Sequence, residues 1–263
     1  MSPLYRPMAD ARDGARPCRY AALDVGTARV RSLTPGGPAI VDRRSAGAAA
    51  LVRPVRHGMV AEPAACRRLV HDVLLDALPG GLWPLERVLA GVPVAATASD
   101  RRALRTAVHE AAGCEVTLVE EPLAAAVGVG VDVTDARPCM VLDVGAGIVE
   151  AVVIRDGAIT DAVAVQLSAT TREGLPRHAM DSVVEMTAGL FRRIPAHQRP
   201  TARDNGLLVT GGGALQAELL RLLRDALRMR VSVTPEPAHA TVRGLTRLCL
   251  QPYLAARIGP PVR

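Results

Sequence analysis

Two aspartates are the first residues of this 263-residue chain whose type and setting could do chemistry. Asp24 lies in Leu23-Asp24-Val25-Gly26 and Asp143 in Leu142-Asp143-Val144-Gly145, the same four-residue string twice, each between apolar runs. Glycine at a turn permits positive φ and lets backbone N–H groups come close to a bound anion. A carboxylate at the same bend suits a hydrated Mg2+, which keeps much of its water shell. The repetition implies an internal duplication whose two halves face each other across a cleft. A third glycine turn, Gly211-Gly212-Gly213, follows the apolar run Leu207 to Thr210 and precedes an amphipathic stretch. Strand, glycine turn and helix together offer free N–H groups and the positive end of a helix dipole to a ligand.

Periodicity supplies the elements around these groups. Tyr20 to Leu33 reads as a hairpin bent at Asp24 to Thr27, and Pro35-Gly-Gly-Pro38 as a turn. From there to Ala50 no element is evident, and 52–60 is strand-like but broken by Pro54 and Gly58. Leu69, Val70, Val73, Leu74 and Ala77 form a helical stripe, ended by Gly80-Gly-Leu-Trp-Pro84. A buried strand at 88–94 leads to a helix with Ser99 as its N-cap and Gly113 as its stop. A second buried strand, 116–119, runs into Glu120-Glu121-Pro122 and an Ala-rich helix reaching about Gly128. Residues 140–166 predict a three-stranded meander with Asp156-Gly157 at one hairpin, and 167–178 an irregular stretch. The remainder predicts a helix over 180–193, a loop bracketed by Pro195 and Pro200, the 207–210 strand, a helix over 214–229, a short strand over 231–233 and a final helix over 238–256. Strands alternating with helices predict an α/β layer.

Composition excludes several classes. With hydrophobic residues at 49% the chain can bury a sizeable core, but one Trp, one Phe and three Tyr leave that core to Ala, Val and Leu. All 32 basic residues are Arg and the net charge is +6. Because the arginines are scattered without interleaved aromatics, they read as a solvated surface, and nucleic acid is not an expected partner. Cys18, Cys66, Cys114, Cys139 and Cys249 form no C-x-x-C pair and suit a reducing cytoplasm. The six histidines show no metal-ligand spacing. No signal peptide or apolar run of about 20 residues is present.

The order of motifs resembles that of the actin, heat-shock-70 and sugar-kinase superfamily: an Asp24 hairpin, Glu121 after a strand, an Asp143 hairpin, then Thr210-Gly-Gly-Gly-Ala214. Within it the wording is most similar to the MreB-like bacterial actins. The resemblance is carried by Arg53-Pro-Val-Arg-His-Gly-Met-Val60, Gly91-Val-Pro93, Val119-Glu-Glu-Pro-Leu-Ala-Ala-Ala-Val-Gly128, Gly174-Leu-Pro-Arg177, Val209-Thr-Gly-Gly-Gly-Ala214 and Val242-Arg-Gly244. It covers about residues 20–250. It implies an α/β, actin/Hsp70 ATPase-like (ribonuclease H-like) duplicated core, two α/β subdomains around a cleft. Residues 1–18 would form a disordered tail, 19–137 with 238–263 the first half, and 138–237 the second.

By the same resemblance, ATP would lie against Asp24, Gly26, Thr27, Asp143, Gly145, Gly147, Gly211, Gly212 and Gly213, with Mg2+ held by Asp24 and Asp143. Glu121 would polarise the attacking water, while Glu120 reads as a surface or salt-bridged residue. Leu82 and Trp83 stand where the family carries a membrane-inserting loop, and the alternative is that Trp83 packs into the core. Expected partners are a second copy or another bacterial actin, membrane proteins of cell-wall morphogenesis and the inner face of the cell membrane. A small Hsp70-like chaperone or reactivase is the rival reading, and a small-molecule kinase a third.

Two departures qualify this picture. Only about 20 residues separate the first hairpin from Arg53, and only 167–173 separate the meander from Gly174, where the family carries its two upper subdomains. The family's Thr-Ala-Asn-Thr is here Thr27-Ala28-Arg29-Val30, and its Gly-Gly-Gly-Thr-Thr-Glu is Gly145-Ala146-Gly147-Ile148-Val149-Glu150. Each hydroxyl lost toward a phosphate removes about 0.5–1.5 kcal/mol. The resemblance therefore implies weak or absent hydrolysis.

Overall fold

The computed structural model describes residues 19–35, 37, 39–46, 52–78, 84–167 and 174–258. The expected tail at 1–18 and the Leu82-Trp83 loop lie outside the described residues.

The first half contains β1 (Tyr20–Val25), β2 (Arg29–Leu33), β3 (Val41–Arg44), the ribbon of β4 (Val55–Arg56) and β5 (Met59–Val60), α1 (Pro63–Ala77), β6 (Arg87–Val92), α2 (Ala98–Ala112), β7 (Glu115–Glu120) and α3 (Glu121–Gly128). The rest of the chain contains β8 (Cys139–Val144), β9 (Ile148–Arg155), β10 (Ala158–Gln166), α4 (Arg177–Arg193), α5 (Arg199–Asn205), β11 (Leu207–Thr210), α6 (Ala217–Leu227) and β12 (Val231–Val233). A 3-10 turn at Pro237–His239, α7 (Ala240–Leu250) and α8 (Pro252–Arg257) follow.

The strands form two five-stranded sheets, β3-β2-β1-β6-β7 and β10-β9-β8-β11-β12. Numbered within its own sheet, each runs third, second, first, fourth, fifth. In each, the first three strands are an antiparallel meander and the last two join in parallel. The repeated tetrapeptide is thus one mark of a duplicated topology.

Each sheet buries one face under its own helices. Val70, Val73 and Leu74 of α1 and Leu104, Ala107 and Val108 of α2 pack with Leu23, Val88 and Ala90 of the first sheet. Val183 and Leu190 of α4 and Leu219 and Leu223 of α6 pack with Leu142, Val149, Val153 and Val209 of the second. Between the sheets Leu123 and Val127 of α3 and Val242 and Leu245 of α7 join Ala22, Leu89, Val141, Val152 and Ile154 in a third cluster. Close packing of α3 on α7 requires glycine at the crossing: a methyl group on Gly244 would overlap the Ala124 carbonyl, and one on Gly128 that of Ala240.

Several elements differ from their sequence reading. β3 arises in the Ala-rich stretch where the sequence shows no element, because Asp42 gives the strand ionic partners on β2. The cap of α2 is Thr97, not Ser99, in a reciprocal box with Asp100. The stretch from Pro195 contains α5, since Pro200 occupies the first turn where its missing N–H costs nothing. α6 begins at Ala217, not Ala214, after turns at Ala214 and Gln216. The final helix is divided at Gln251 and Pro252. The linkers 45–54 and 167–176 contain no helix among their described residues. Among the described residues no helix is long and apolar enough to cross a membrane.

Candidate nucleotide cleft

The two hairpins place their aspartates alike. Gly26 N–H donates to the Arg29 carbonyl and Gly145 N–H to the Ile148 carbonyl, both at 3.0 Å, so both bends close with the same bond. Asp24 and Asp143 lie just before these bends at the carboxyl ends of β1 and β8, both buried. Between them opens a cavity of about 370 Å3 lined by Asp24, Gly26, Thr27, Asp143, Gly145, Gly147, Glu121 and Gly211 to Gly213. Every sequence-predicted site residue among the described residues is therefore brought to one cavity. Its size suits a small organic ligand.

The glycine turns serve less uniformly than the sequence suggests. The N–H groups of Gly26 and Gly145 are used inside their hairpins, Gly211 N–H donates to Pro237 O at 3.0 Å, and Gly213 N–H to Val144 O at 2.9 Å. Among the described residues the N–H groups of Thr27, Ala28, Ala146, Gly147 and Gly212 have no acceptor, and all five residues line the cavity. These are the donors available to a phosphate. Gly211 has φ +87°, and a Cβ there would meet the Val144 carbonyl oxygen at 2.6 Å. Glycine is needed at that position for the turn and for the approach to Asp143.

The hairpins also meet across the cleft. Thr27 Oγ1 accepts from Gly58 N–H at 2.8 Å, and His57 Nδ1 lies 2.9 Å from the Gly147 carbonyl oxygen. The β4-β5 ribbon thus clips one hairpin to the other. Glu150 makes a second link: its carboxylate accepts from Ala95 N–H at 3.0 Å and Val94 N–H at 3.2 Å in the other half. The Glu120 carboxylate is buried and salt-bridged to Arg101 at 3.0 Å, the second of the two fates expected for it.

The acids are crowded. Burial, then the charges of Asp24, Asp143 and Glu150, push Glu121 well above the usual carboxylate range. Its Oε1 is buried with no hydrogen-bond partner among the described residues. Burial, then Glu150 and Asp24, raise Asp143 to about 7, and burial also raises Glu150 to about 7. Asp24 is raised by burial despite the opposing effect of Arg31.

Arg31 is the site residue that sequence reasoning missed. Its Nη1 is 3.2 Å from Asp24 Oδ2, its Nε is 3.3 Å from Asp42 Oδ2, and it lines the cavity beside Arg29. Pairing in the β1-β2 hairpin sets Asp24 opposite Arg31, a register that follows from Val25 opposite Val30 and was available in the sequence. This bears on the expected metal. A water-held Mg2+ between Asp24 and Asp143 requires both carboxylates to face it, whereas Asp24 is already taken up by a guanidinium. The side chains present do not fit a divalent ion held by that pair, and among the described residues no group of three or more His, Cys, Asp or Glu side chains is arranged to hold a metal ion.

Twin sheets of identical strand order, with matched Asp hairpins and a glycine turn around one cleft, define a protein of the actin and Hsp70 ATPase-like fold. A model of the MreB/Mbl protein family matches residues 22–173. The chain belongs to the MreB/Mbl family of bacterial actins. The cell shape-determining protein MreB of Escherichia coli (strain K12) is 26% identical over an alignment of 264 positions, gaps included, covering 76% of each chain. MreB 5 of Spiroplasma citri, crystallised with AMPPNP, superposes with a TM-score of 0.77 at 16% identity, covering 90% of this chain and 98% of that one. A chain of the MamK double helical filament superposes with a TM-score of 0.69 at 17% identity, covering 88% and 98%.

Proposed function

We propose that this protein is a nucleotide-binding actin homologue of the bacterial cytoskeleton, acting in cell shape and cell-wall morphogenesis with weak or absent hydrolysis. The observation that carries the nucleotide reading is the set of unpartnered N–H groups at 27–28, 146–147 and 212 around one cavity. Such groups hold phosphate oxygens by charge-assisted hydrogen bonds. Gly211 to Gly213, Pro237, Ala238 and Thr241 would line the nucleoside side of the same cavity.

Glu121, which lines the cavity, would be the residue that polarises a water molecule. Burial and the neighbouring carboxylates push its carboxyl well above the usual carboxylate range, which weakens it as a proton acceptor, and Ile148 and Val149 stand where the family has hydroxyls. Both features favour binding over turnover.

Self-association or copolymerisation with another bacterial actin is the matching assembly, at the cytoplasmic face of the cell membrane, with Leu82 and Trp83 as the membrane contact and morphogenesis membrane proteins as partners. An exposed Trp suits such an interface. The family match gives no support to the chaperone reading. A fluorescent ATP analogue titrated into the purified chain tests the central proposal, and the absence of saturable, ATP-competed binding overturns it. Pelleting with and without anionic vesicles, comparing Trp83→Ala, tests the membrane arm, which requires lipid-dependent sedimentation that the variant loses.

A further inference from the structure

We propose that Arg31 stands in the place of a divalent cation, so that the cleft binds the phosphates of a nucleotide without metal. The inference rests on the nucleotide-binding reading above and adds its counter-charge.

The duplication makes the substitution plain. In the second half the residue facing Asp143 across the hairpin is Glu150, an acid. In the first half the residue facing Asp24 is Arg31, a base. The two hairpins are otherwise closed by the same turn bond. One fold position thus carries opposite charges in the two halves, and the positive one falls at the mouth of the phosphate turns.

Arg31 is held there from two sides. Asp24 takes Nη1, and Asp42 lies against Nε. Asp42 is itself fixed by Arg29, whose Nε donates to Oδ1 at 2.5 Å and whose Nη2 donates to the Asp42 carbonyl oxygen at 3.1 Å. His239 approaches the same carboxylate at 3.7 Å. The Arg31 side chain is 13% exposed and the Asp24 side chain 10%, so the pair is largely screened from bulk water. A guanidinium has five N–H donors in a rigid fork, and two acidic partners do not exhaust them. The unused donors belong to a residue that lines the cavity next to Thr27, Ala28 and Ala146.

A divalent ion in a phosphate site neutralises anionic oxygens and fixes their position. An anchored guanidinium does both, and it binds phosphate oxygens in bidentate fashion. It cannot leave, so occupancy of the cleft becomes independent of the metal concentration. It also repels a dication, which makes the carboxylate pair a poorer metal site than the sequence alone implies.

The test is titration of the full chain with a fluorescent ATP analogue and with ATP as competitor, in excess EDTA and in excess Mg2+. The expected result is an affinity that differs by less than about twofold between the two conditions. Arg31→Gln is expected to weaken binding in EDTA by about tenfold or more, the equivalent of about 1.4 kcal/mol, and to make what remains Mg2+-dependent. Arg31→Lys keeps the charge and a partner for Asp24 but loses the fork. It is expected to weaken binding in EDTA less than Arg31→Gln does, and it serves alone if the Gln variant fails to fold. Binding by the unaltered chain only in Mg2+ overturns the inference and leaves the nucleotide reading intact. Binding in neither condition overturns both. Unchanged affinity of both variants in EDTA overturns the role of Arg31.

Discussion

Asp143 and Glu150 face each other directly across the β8-β9 hairpin, two buried carboxylates in the place where the first half pairs Asp24 with Arg31. The consequence is a stability that falls as pH rises. Both groups have folded values raised to about 7, from ordinary values of 3.8 and 4.5. Below about pH 3 both states hold the protons and no penalty exists. Between the ordinary and the raised values the unfolded chain has released protons that the folded chain retains, so stability declines with pH. Above the raised values the decline is complete. A tenfold change in proton affinity corresponds to about 1.4 kcal/mol, so the two groups together represent several kcal/mol at most. The melting temperature is expected to fall between about pH 5 and about pH 8, and Asp143→Asn to flatten that fall. A melting curve independent of pH for the unaltered chain would contradict the crowding.

Removing the charge of Glu121 should stabilise the fold. A buried carboxyl with an unpartnered oxygen, beside three other acids, is costly whenever it ionises. Glu121→Gln keeps the shape and removes the ionisation. The variant is expected to melt higher than the unaltered protein at about pH 8, by an amount on the order of 1–2 kcal/mol, and to differ less at about pH 5. Equal destabilisation at both pH values would refute this account of the residue.

Among the described glycines, those of the α3-α7 crossing leave the least room for a side chain. Gly244→Ala forces a methyl group against the Ala124 carbonyl in the layer between the sheets. Overpacking of this kind costs about 1–3 kcal/mol, more where backbone rather than a side chain must yield. Denaturant unfolding should show the loss, while Gly212→Ala, where an added Cβ meets nothing, should leave stability nearly unchanged.

Thr97→Ala removes the hydroxyl that accepts from Asp100 N–H at the start of α2. The expected loss is about 1 kcal/mol. Ser99→Ala, at the residue the sequence suggests as the cap, should lose less, and urea midpoints for the two variants decide the order.

Much of this architecture is legible in the sequence because each element carries a local signal. The two Leu-Asp-Val-Gly strings, the α1 stripe and the glycine triplet lie in the elements expected of them. β3 is not legible, because Val41 to Arg44 has little apolar alternation and owes its place to Asp42 bridging two arginines of β2. The α2 cap falls two residues before its expected position because Thr97 and Ser99 are both acceptable by type, and only the Asp100 side chain decides between them. In the site, the carboxylates and glycines are visible as motifs. The role of Arg31 is visible only in part: its place opposite Asp24 follows from the hairpin register, but its second anchor, Asp42, lies on a strand with no signal in the sequence.

The clip of His57 on Gly147 and the bond of Glu150 to Ala95 lie on the cleft side, and the α3-α7 packing lies between the sheets. The two halves are therefore joined both by polar contacts and by a shared apolar layer. The described residues of 45–54 and 167–176 contain no helix that could act as a lever arm on this seam. A ligand in this cleft would enter and leave by its open side, and its residence time would report the strength of its contacts rather than the rate of a jaw.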